Sequence, residues 1–383
     1  MRGEEREMEE VPPLSYCINI ENIIRKGPKQ NKGLVLIALD YKKAYDSVNR
    51  KSLIETLMKY KVDPLVIDLI AKIYRNDKTQ INMLGVEETL NVTSGIRQGC
   101  TVSTELFKLV TYEIIKKLEE TGDKLMIEGI DFSSLFYADD SILVSRTIEE
   151  AERNLKIITE ISKEFGLIIN ESKSKALIFK KGRTQGKIEK VGGLEVVKSL
   201  KYLGLEICDE EDIFRKQKEL AIKNLQKLAK KAFYTIETVS DRVLMGKLFW
   251  KSVALPTALF GLGVMTFNIG QVETLQRTEN RVNRMILRAA RYAPNTTVRG
   301  EIGSSTMDSR IIESKFLLIK SIINGDNELV KEVLIRTLKE DNNIWNIKLR
   351  SQLGKVNMTE EDLWNMSKEN IRRRIREVDK ANW

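Results

Sequence analysis

The sequence Phe136-Tyr137-Ala138-Asp139-Asp140 decides how the rest of the chain is interpreted. The residues on both sides of it, 134–136 and 141–144, have the composition of strands, which predicts a β-hairpin with acid at its tip. Two bare carboxylates brought together repel each other unless a cation lies between them, and Mg²⁺ prefers oxygen ligands. An isolated pair of this kind is more often a solvated acidic turn, so other parts of the chain must decide between the two interpretations.

A third acid lies at the end of a predicted strand. Residues 33–39 form an apolar run that ends in Asp40, and such a run predicts a strand buried on both faces. Because strands distant in sequence are often neighbours in a sheet, Asp40 could join Asp139 and Asp140. Three carboxylates that hold two Mg²⁺ ions form the arrangement used for nucleotidyl transfer. Three acids at strand ends also occur by chance, so both interpretations stay open on the residues alone.

Composition limits the chemistry further. The 383 residues, enough for roughly two or three domains, contain no histidine and only three scattered cysteines. This excludes a Cys/His zinc site, a disulfide framework and histidine-based catalysis. Any chemistry must use carboxylates, lysine, arginine, hydroxyls or a metal bound through oxygen. Lysine and arginine number 64 against 55 acids, and the net charge of +9 suits a polyanionic partner.

The chain shows no apolar run long enough to span a bilayer and no signal peptide. We therefore expect an intracellular protein without a membrane partner, in either the nucleus or the cytoplasm. Strand and helix patterns alternate up to about residue 210, and helical periodicity dominates after it. This predicts domain boundaries near residues 210 and 300.

Several motifs together carry a family resemblance. They occur in order in residues 39–48, 94–100, 136–140, 166–175 and 202–204. These segments resemble the palm motifs and primer-grip hairpin of reverse transcriptases, most closely those of non-LTR (LINE-type) retrotransposons. The similarity covers residues 33–207 well and residues 241–300 more loosely.

The resemblance implies roles for individual side chains. Asp40, Asp139 and Asp140 would be the metal ligands, and Lys173 would protonate the leaving pyrophosphate. On composition alone, Lys173 is a solvated surface residue.

The resemblance also implies binding residues. Tyr45 would exclude a 2′-hydroxyl, and Gln98 and Gly99 would form the nucleotide pocket, where glycine permits close approach. Tyr202 and Gly204 would position the primer end. Without the motifs, Tyr45 would be a half-buried core aromatic, Gly99 an ordinary turn residue, and Tyr202 and Gly204 part of an ordinary hairpin.

Two basic series in the helical part suit a region that grips a nucleic-acid duplex through its phosphates. A solvated charged face is the commoner explanation of each series. The proposed contacts are Lys223, Lys227, Lys230, Arg277, Arg281 and Arg284.

The sequence also departs from the family pattern. Residues 101–104 stand where the family usually has prolines, which predicts a more flexible loop after Gln98. Only 39 residues precede Asp40, so the basic fingers segment of the family is expected to be missing. Two alternatives therefore remain: a truncated retroelement remnant that keeps the palm fold and nucleic-acid binding without efficient polymerisation, and a binding module without catalysis.

We predict an α+β fold. A polar segment (1–32) precedes a reverse transcriptase palm (33–210) with an antiparallel sheet backed by helices. A helical thumb-like region (211–300) and a helical C-terminal region (301–383) follow. The predicted activity is RNA-directed DNA synthesis by two-Mg²⁺ nucleotidyl transfer onto a primer 3′ end, with Mn²⁺ as an alternative ion. The expected partners are an RNA template, a DNA primer and deoxynucleoside triphosphates.

Overall fold

The computed structural model describes residues 14–26, 33–75, 77–83, 86–179, 188–237 and 241–381. The chain forms two compact units. One unit contains residues 23–202, and the other contains the described residues before 23 and after 202.

The chain enters the structure in helix α1 (Leu14–Lys26). The unit of residues 23–202 continues with strands and five further helices. They are β1 (Leu34–Leu39), α2 (Ala44–Ser47), α3 (Arg50–Lys59), α4 (Pro64–Arg75), β2 (Lys78–Met83), β3 (Val86–Asn91), α5 (Thr101–Thr121), β4 (Met126–Ile127), β5 (Ile130–Asp131), β6 (Ser134–Tyr137), β7 (Asp140–Ser145), α6 (Ile148–Glu164), β8 (Lys175–Phe179), β9 (Lys190–Val191), β10 (Leu194–Val197) and β11 (Ser199–Tyr202).

The main sheet of this unit has six strands in the order β6-β7-β1-β8-β10-β9. Every neighbouring pair is antiparallel except β8 and β10, which are parallel. The two long helices α5 and α6 contribute to the hydrophobic core on one face of this sheet. The predicted α+β fold with a mainly antiparallel sheet backed by helices is confirmed.

Strand β1 lies inside the sheet between β7 and β8 and is buried on both faces. Val35, Ile37 and Leu39 belong to the core shared with α5 and α6. Leu34 and Leu36, which point to the opposite face, are only 1% and 0% exposed. The apolar run at 33–39 was therefore sufficient to identify a doubly buried strand.

The other unit is helical after one strand and includes a π-helical turn at Trp250–Ala254. Its elements after residue 202 are β12 (Leu205–Cys208), α7 (Arg215–Glu237), α8 (Arg242–Phe249), α9 (Leu255–Ala258), α10 (Ile269–Leu287), α11 (Asn295–Ile302), α12 (Met307–Asn324), α13 (Glu328–Leu338), α14 (Ile344–Lys355), α15 (Glu360–Asn365) and α16 (Lys368–Ala381). Within the described ranges, no helix has both the length and the apolar character needed to cross a bilayer.

Candidate active site and nucleic-acid groove

The predicted hairpin with acid at its tip is present. β6 and β7 pair antiparallel, and Tyr137 lies opposite Asp140 at the closed end. Ala138 and Asp139 form the two-residue turn, in which Ala138 adopts a left-handed backbone with φ of 53°. The turn exposes the side chains of both Asp139 and Asp140.

The end of β1 lies beside this hairpin. β1 and β7 pair antiparallel with Leu39 opposite Ser141, so the next step places Asp40 beside Asp140. Residues directly opposite in an antiparallel pair direct their side chains to the same face. Partial desolvation, followed by the negative charges of Asp139 and Asp40, raises the pKa of the Asp140 carboxyl. The three predicted acids therefore lie close enough at one edge of the sheet to repel each other.

The segment after α6 fixes the position of Asp40. The Asn170 amide nitrogen Nδ2 donates to Asp40 Oδ2 over 3.2 Å, and the Asn170 backbone N–H donates to the Asp40 carbonyl over 2.7 Å. The Asp40 N–H donates to Ser174 Oγ over 3.0 Å. The predicted Lys173 lies in the same segment, with its exposed Nζ 3.8 Å from Asp40 Oδ2. Sequence reasoning did not identify the roles of Asn170 and Ser174, although both lie in the motif at 166–175.

The chemistry of the three acids fits a hard divalent cation, because carboxylate oxygens are its preferred ligands. In the described ranges, no group of three or more Asp, Glu, His or Cys side chains is already close enough to hold a metal ion.

Tyr45 lies next to the acids on α2. Its ring stacks on Phe107 of α5, with centroids 4.6 Å apart and planes inclined by 14°. Desolvation, followed by the charge of Asp139, raises the pKa of the Tyr45 hydroxyl, and Lys108 opposes this shift. The ring therefore packs on α5, and its hydroxyl lies within electrostatic range of Asp139.

The glycine loop of the second motif packs directly on α2. The N–H of Ile96 donates to the Tyr45 carbonyl over 2.8 Å. Gly95 has φ of 82°, and a Cβ added there would lie 2.5 Å from the carbonyl oxygen of Asp46. Only glycine fits this left-handed position so close to another backbone segment.

Gln98 and Gly99 follow on the exposed part of this loop. Gly99 also has a positive φ, 81°, but a Cβ there would meet nothing within 4 Å. The expectation of a flexible loop over residues 101–104 is wrong, because α5 begins at Thr101. The buried Ser103 side chain anchors this first turn, and its hydroxyl lies 3.1 Å from that of Tyr74.

Arg50 was not identified from the sequence, yet it holds this loop in place. Its Nε donates to the Gly95 carbonyl over 2.7 Å, and its Nη1 donates to the carbonyls of Val92 and Tyr74 over 2.6 Å and 2.9 Å. Its Nη2 donates to Asp77 Oδ2 over 2.8 Å. No sequence motif identifies Arg50, because most of its acceptors are backbone carbonyls, which residues of any type supply.

Asp77 completes the network from the other side. It is only 9% exposed and also accepts from Arg97 Nη2, at 2.8 Å from Oδ1. Arg97 immediately precedes the predicted pocket residue Gln98. The two arginines and Asp77 therefore connect α3 to the glycine loop at Gly95 and at Arg97.

The two predicted primer-binding residues have different environments. Tyr202 ends β11, and its side chain is 3% exposed. Gly204 has φ of 82°, and a Cβ there would lie 2.7 Å from Cε1 of Phe260. The burial of Tyr202 and the close approach of Phe260 to Gly204 favour a turn of fixed geometry. The primer-binding role of the two residues stays a prediction.

The predicted basic series meet in one groove between α7 and α10, with a volume of about 1070 Å³. Its basic lining residues are Lys223, Lys227, Lys230, Arg277 and Arg281. Arg284 lies outside it and lines an adjoining groove of about 980 Å³. Its Nη2 donates to the Ala293 carbonyl over 2.9 Å and to Asn295 Oδ1 over 2.6 Å, so it also has a structural role.

A family profile described as "Reverse transcriptase (RNA-dependent DNA polymerase)" matches residues 8–207. The chain is 30% identical over 177 residues to a retrovirus-related Pol polyprotein from the type-1 retrotransposable element R2 of Bradysia coprophila, covering 45% of this chain and 20% of that protein. It is 32% identical over 147 residues to the corresponding polyprotein of Nasonia vitripennis, covering 38% of this chain and 14% of that protein.

The chain thus spans no more than a fifth of the length of these two relatives. Among solved structures, telomerase from Candida tropicalis in complex with a fragment of telomeric RNA aligns with a TM-score of 0.43 at 14% identity. That alignment covers 98% of this chain and 54% of the telomerase chain.

Proposed function

The chain belongs to the reverse transcriptase (RNA-dependent DNA polymerase) family, and on that premise we propose that it catalyses RNA-directed DNA synthesis. The reaction is the template-directed addition of a deoxynucleotide to a primer 3′ end. Polymerases of this family are generally metal-dependent, which agrees with an active site built from carboxylates.

One observation carries the proposal: Asp40 lies beside Asp140 in the strand register, and Asp139 lies in the adjoining turn. Desolvation and then the charges of Asp139 and Asp40 raise the pKa of Asp140, and the repulsion from these two charges supports the proposal that a cation binds among the three carboxylates. If Asp139 and Asp140 formed only a solvated acidic turn, there would be no reason for Asp40, on a second strand, to lie beside them.

Asp40, Asp139 and Asp140 would hold two Mg²⁺ ions, or Mn²⁺ in their place. When bound, the ions activate the attacking hydroxyl and neutralise charge that develops on the phosphates. Asn170 and Ser174 hold Asp40 in position for this task. Lys173, whose exposed Nζ lies 3.8 Å from Asp40, would deliver a proton to the leaving pyrophosphate.

The nucleotide would lie between the acids and the glycine loop. Tyr45, fixed by its stacking on Phe107, would exclude a 2′-hydroxyl. Gln98 and Gly99 would contact the incoming deoxynucleoside triphosphate from the exposed part of the loop. Tyr202 and Gly204 would position the primer end.

We assign residues 33–210 to the palm, 211–300 to a thumb-like region and 301–383 to a C-terminal helical region. The proposed partners are an RNA template and a DNA primer. The basic side chains on α7 and α10 would bind their phosphates, because phosphate contacts supply affinity without sequence information.

A primer-extension assay tests the proposal. Purified chain is incubated with an RNA template, an annealed DNA primer, Mg²⁺ and all four deoxynucleoside triphosphates. We expect extension that is abolished by EDTA and lowered at least about 10²–10³-fold by Asp139→Asn, since the variant removes one preorganised charge from the site.

Asp68→Asn is the matched control. Asp68 is an exposed acid on α4, and among the described residues it forms an ion pair with Lys72, one turn away, at 2.5 Å. We expect this control to extend the primer as the wild type does. Absence of extension by the wild type, or equal extension by wild type and Asp139→Asn, would contradict the proposal.

A further inference from the structure

Helix α4 carries more apolar surface than the core of its unit covers. Ile67, Ile70 and Tyr74 are buried and belong to the hydrophobic core. At about 3.6 residues per turn, the positions next to them around the helix are also apolar, but their side chains are exposed. These exposed side chains are Leu65, Val66, Leu69 and Ile73. The apolar face of α4 therefore continues beyond the part that packs on its own chain.

The exposed side chains form one ridge along the helix. Leu65, Leu69 and Ile73 follow each other at intervals of four residues, and Val66 lies beside them. Leu65 and Leu69 are 80% and 59% exposed. Ridges with this spacing pack into the grooves of a second helix. Neighbouring apolar side chains of this kind indicate an interaction surface, whereas singly scattered ones do not.

The charges beside the ridge indicate which helix covers it. Asp68 and Lys72 lie on the same border of the ridge, one turn apart, and form an ion pair at 2.5 Å. A second copy of α4 that runs antiparallel, with its Leu69 against Leu69 of the first, brings each Asp68 towards the Lys72 of the other copy. The acid and the base therefore complement themselves across a two-fold axis, as a contact between identical surfaces requires.

The apolar side chains match in the same arrangement. An antiparallel copy centred on Leu69 sets Leu65 of each helix opposite Ile73 of the other, so the ridge meets apolar side chains along its whole length. The contact uses far fewer than the roughly 20–30 residues a side of a standard interface, and this size is typical of weak complexes.

We propose that α4 is the contact surface of a homodimer, in which two copies of the chain pack their α4 helices antiparallel about a two-fold axis at Leu69. We expect a dissociation constant on the order of 10–100 μM. Each copy carries its own Asp40, Asp139 and Asp140, so the inference goes beyond the proposed catalytic function and does not depend on it.

Sedimentation velocity of the full chain over about 1–200 μM, in about 0.15 M salt, tests the proposal. The protein is treated with nuclease and freed of nucleic acid beforehand, so that a shared oligonucleotide cannot link two copies. We expect the mean mass to rise with concentration from that of one chain towards that of two. Leu69→Glu should weaken the association at least about tenfold, because two carboxylates would meet at the axis.

Leu244→Glu is the matched control. Leu244 is a leucine of similar exposure, 53%, on α8 of the other unit, and this variant should associate as the wild type does. Since Leu69 and Leu244 are both exposed, neither substitution removes a core side chain. Far-UV circular dichroism checks that both variants are folded.

Charge reversal tests the antiparallel arrangement. Asp68→Lys and Lys72→Asp should each weaken the homodimer about tenfold, because like charges then face each other across the axis. A mixture of the two variants should associate at least as tightly as the wild type. In that mixture one copy carries only lysine at positions 68 and 72, and the other carries only aspartate.

A wild type that stays monomeric over the whole concentration range would overturn the proposal. So would a dimer that Leu69→Glu leaves intact, since its contact would lie elsewhere. Failure of the two charge variants to associate when mixed would exclude the antiparallel pairing. These measurements contain no primer, template or deoxynucleoside triphosphate, so their outcome is independent of the proposed catalytic function.

Discussion

The guanidinium of Arg50 donates from Nε to the carbonyl oxygen of Gly95 over 2.7 Å, which ties the start of α3 to the glycine loop. The same group binds the carbonyls of Tyr74 and Val92 and the carboxylate of Asp77. Its side chain is 16% exposed, and that of Asp77 is 9% exposed. Because these acceptors lose access to water, they depend on Arg50 for their hydrogen bonds.

Arg50→Ala should therefore destabilise the unit of residues 23–202 by about 2–4 kcal/mol, since it leaves several carbonyls without their donor and takes from the buried Asp77 carboxylate one of its two arginine partners. Arg50→Lys should recover little of the lost stability, because the ammonium group of lysine cannot reproduce the planar set of donors that the guanidinium presents. Urea unfolding followed by far-UV circular dichroism measures the stability of both variants.

The adjacent Lys51→Ala is the control. Lys51 is 85% exposed, and its pair with Glu55 is 3.8 Å long, so we expect this variant to lose less than about 0.5 kcal/mol of stability. Equal stability of Arg50→Ala and Lys51→Ala would show that the network is dispensable.

Substitution of two glycines in the same loop distinguishes the cost of a strained backbone from the cost of a steric clash. Gly95 and Gly99 both have a left-handed backbone, with φ of 82° and 81°, but only Gly95 faces another backbone at 2.5 Å. Gly99→Ala should cost about 1–2 kcal/mol, the ordinary penalty for a side chain in this conformation. Gly95→Ala should cost more, because the loop must also move away from Asp46. Urea unfolding of both variants measures the difference, and equal losses would mean that the contact with Asp46 yields easily.

The parts of the fold that the sequence predicted depend on local patterns. The run at 33–39 could identify β1 because every position in it is apolar, and the acids at 139 and 140 could identify the hairpin because charge is rare inside a strand. The start of α5 could not be identified, because Thr101 and Val102 have no strong helical preference. The helix begins there because tertiary packing buries Ser103 and Phe107.

The candidate site was predictable to the same extent. Motifs carry the residues that would contact metal or nucleotide, so Asp40, Tyr45 and Asp139 were named from the sequence. The residues that hold those groups were not, since Arg50 binds carbonyls at positions 74, 92 and 95, and any residue type supplies a carbonyl.

Removal of the Asp140 charge should have opposite effects with and without a cation. Desolvation and then the charges of Asp139 and Asp40 raise the pKa of Asp140 above that in the unfolded chain. Such a carboxyl lowers stability as the pH rises from about 4 through the folded pKa. Asp140→Asn should therefore raise the melting temperature at pH 7 in EDTA, and this gain should disappear at about pH 3.

In millimolar Mg²⁺ the wild type, and not Asp140→Asn, should have the higher melting temperature. Binding to the folded state stabilises the wild type by mass action, whereas Asp140→Asn lacks one ligand and should gain less. Differential scanning calorimetry with and without Mg²⁺ measures both effects, with Asp68→Asn as the variant that removes a distant charge. An equal Mg²⁺ response in wild type and Asp140→Asn would exclude Asp140 as a ligand.

A buried amine in the helical unit gives the last prediction. Lys315 of α12 is 0% exposed, and its Nζ has no hydrogen-bond partner in the described part of the chain. The Nζ lies 4.7 Å from the centre of the Trp345 ring. Desolvation lowers the pKa of Lys315 to about 7, Glu21 opposes the shift, and Lys348 reinforces it.

The direction of the pH dependence follows from the number of protons that the unfolded and the folded states each bind. A lysine in the unfolded chain has a pKa of about 10.4, so between about pH 7 and pH 10 the unfolded state binds more protons than the folded state. Unfolding free energy should therefore rise with pH across this range and level off below about pH 7. Lys315→Met keeps an unbranched chain without the charge. It should be about 2–4 kcal/mol more stable than the wild type at pH 7, with a smaller difference at about pH 9.5.

Urea unfolding followed by tryptophan fluorescence at the two pH values measures this, because Trp345 lies against the amine and all four tryptophans lie after residue 202. Lys339→Met is the control, since Lys339 is an exposed lysine at the end of α13. It should change stability by less than about 0.5 kcal/mol at either pH. A constant difference between Lys315→Met and the wild type from pH 7 to 9.5 would show that Lys315 stays protonated on folding. The contact with the Trp345 ring would then outweigh the desolvation of the amine.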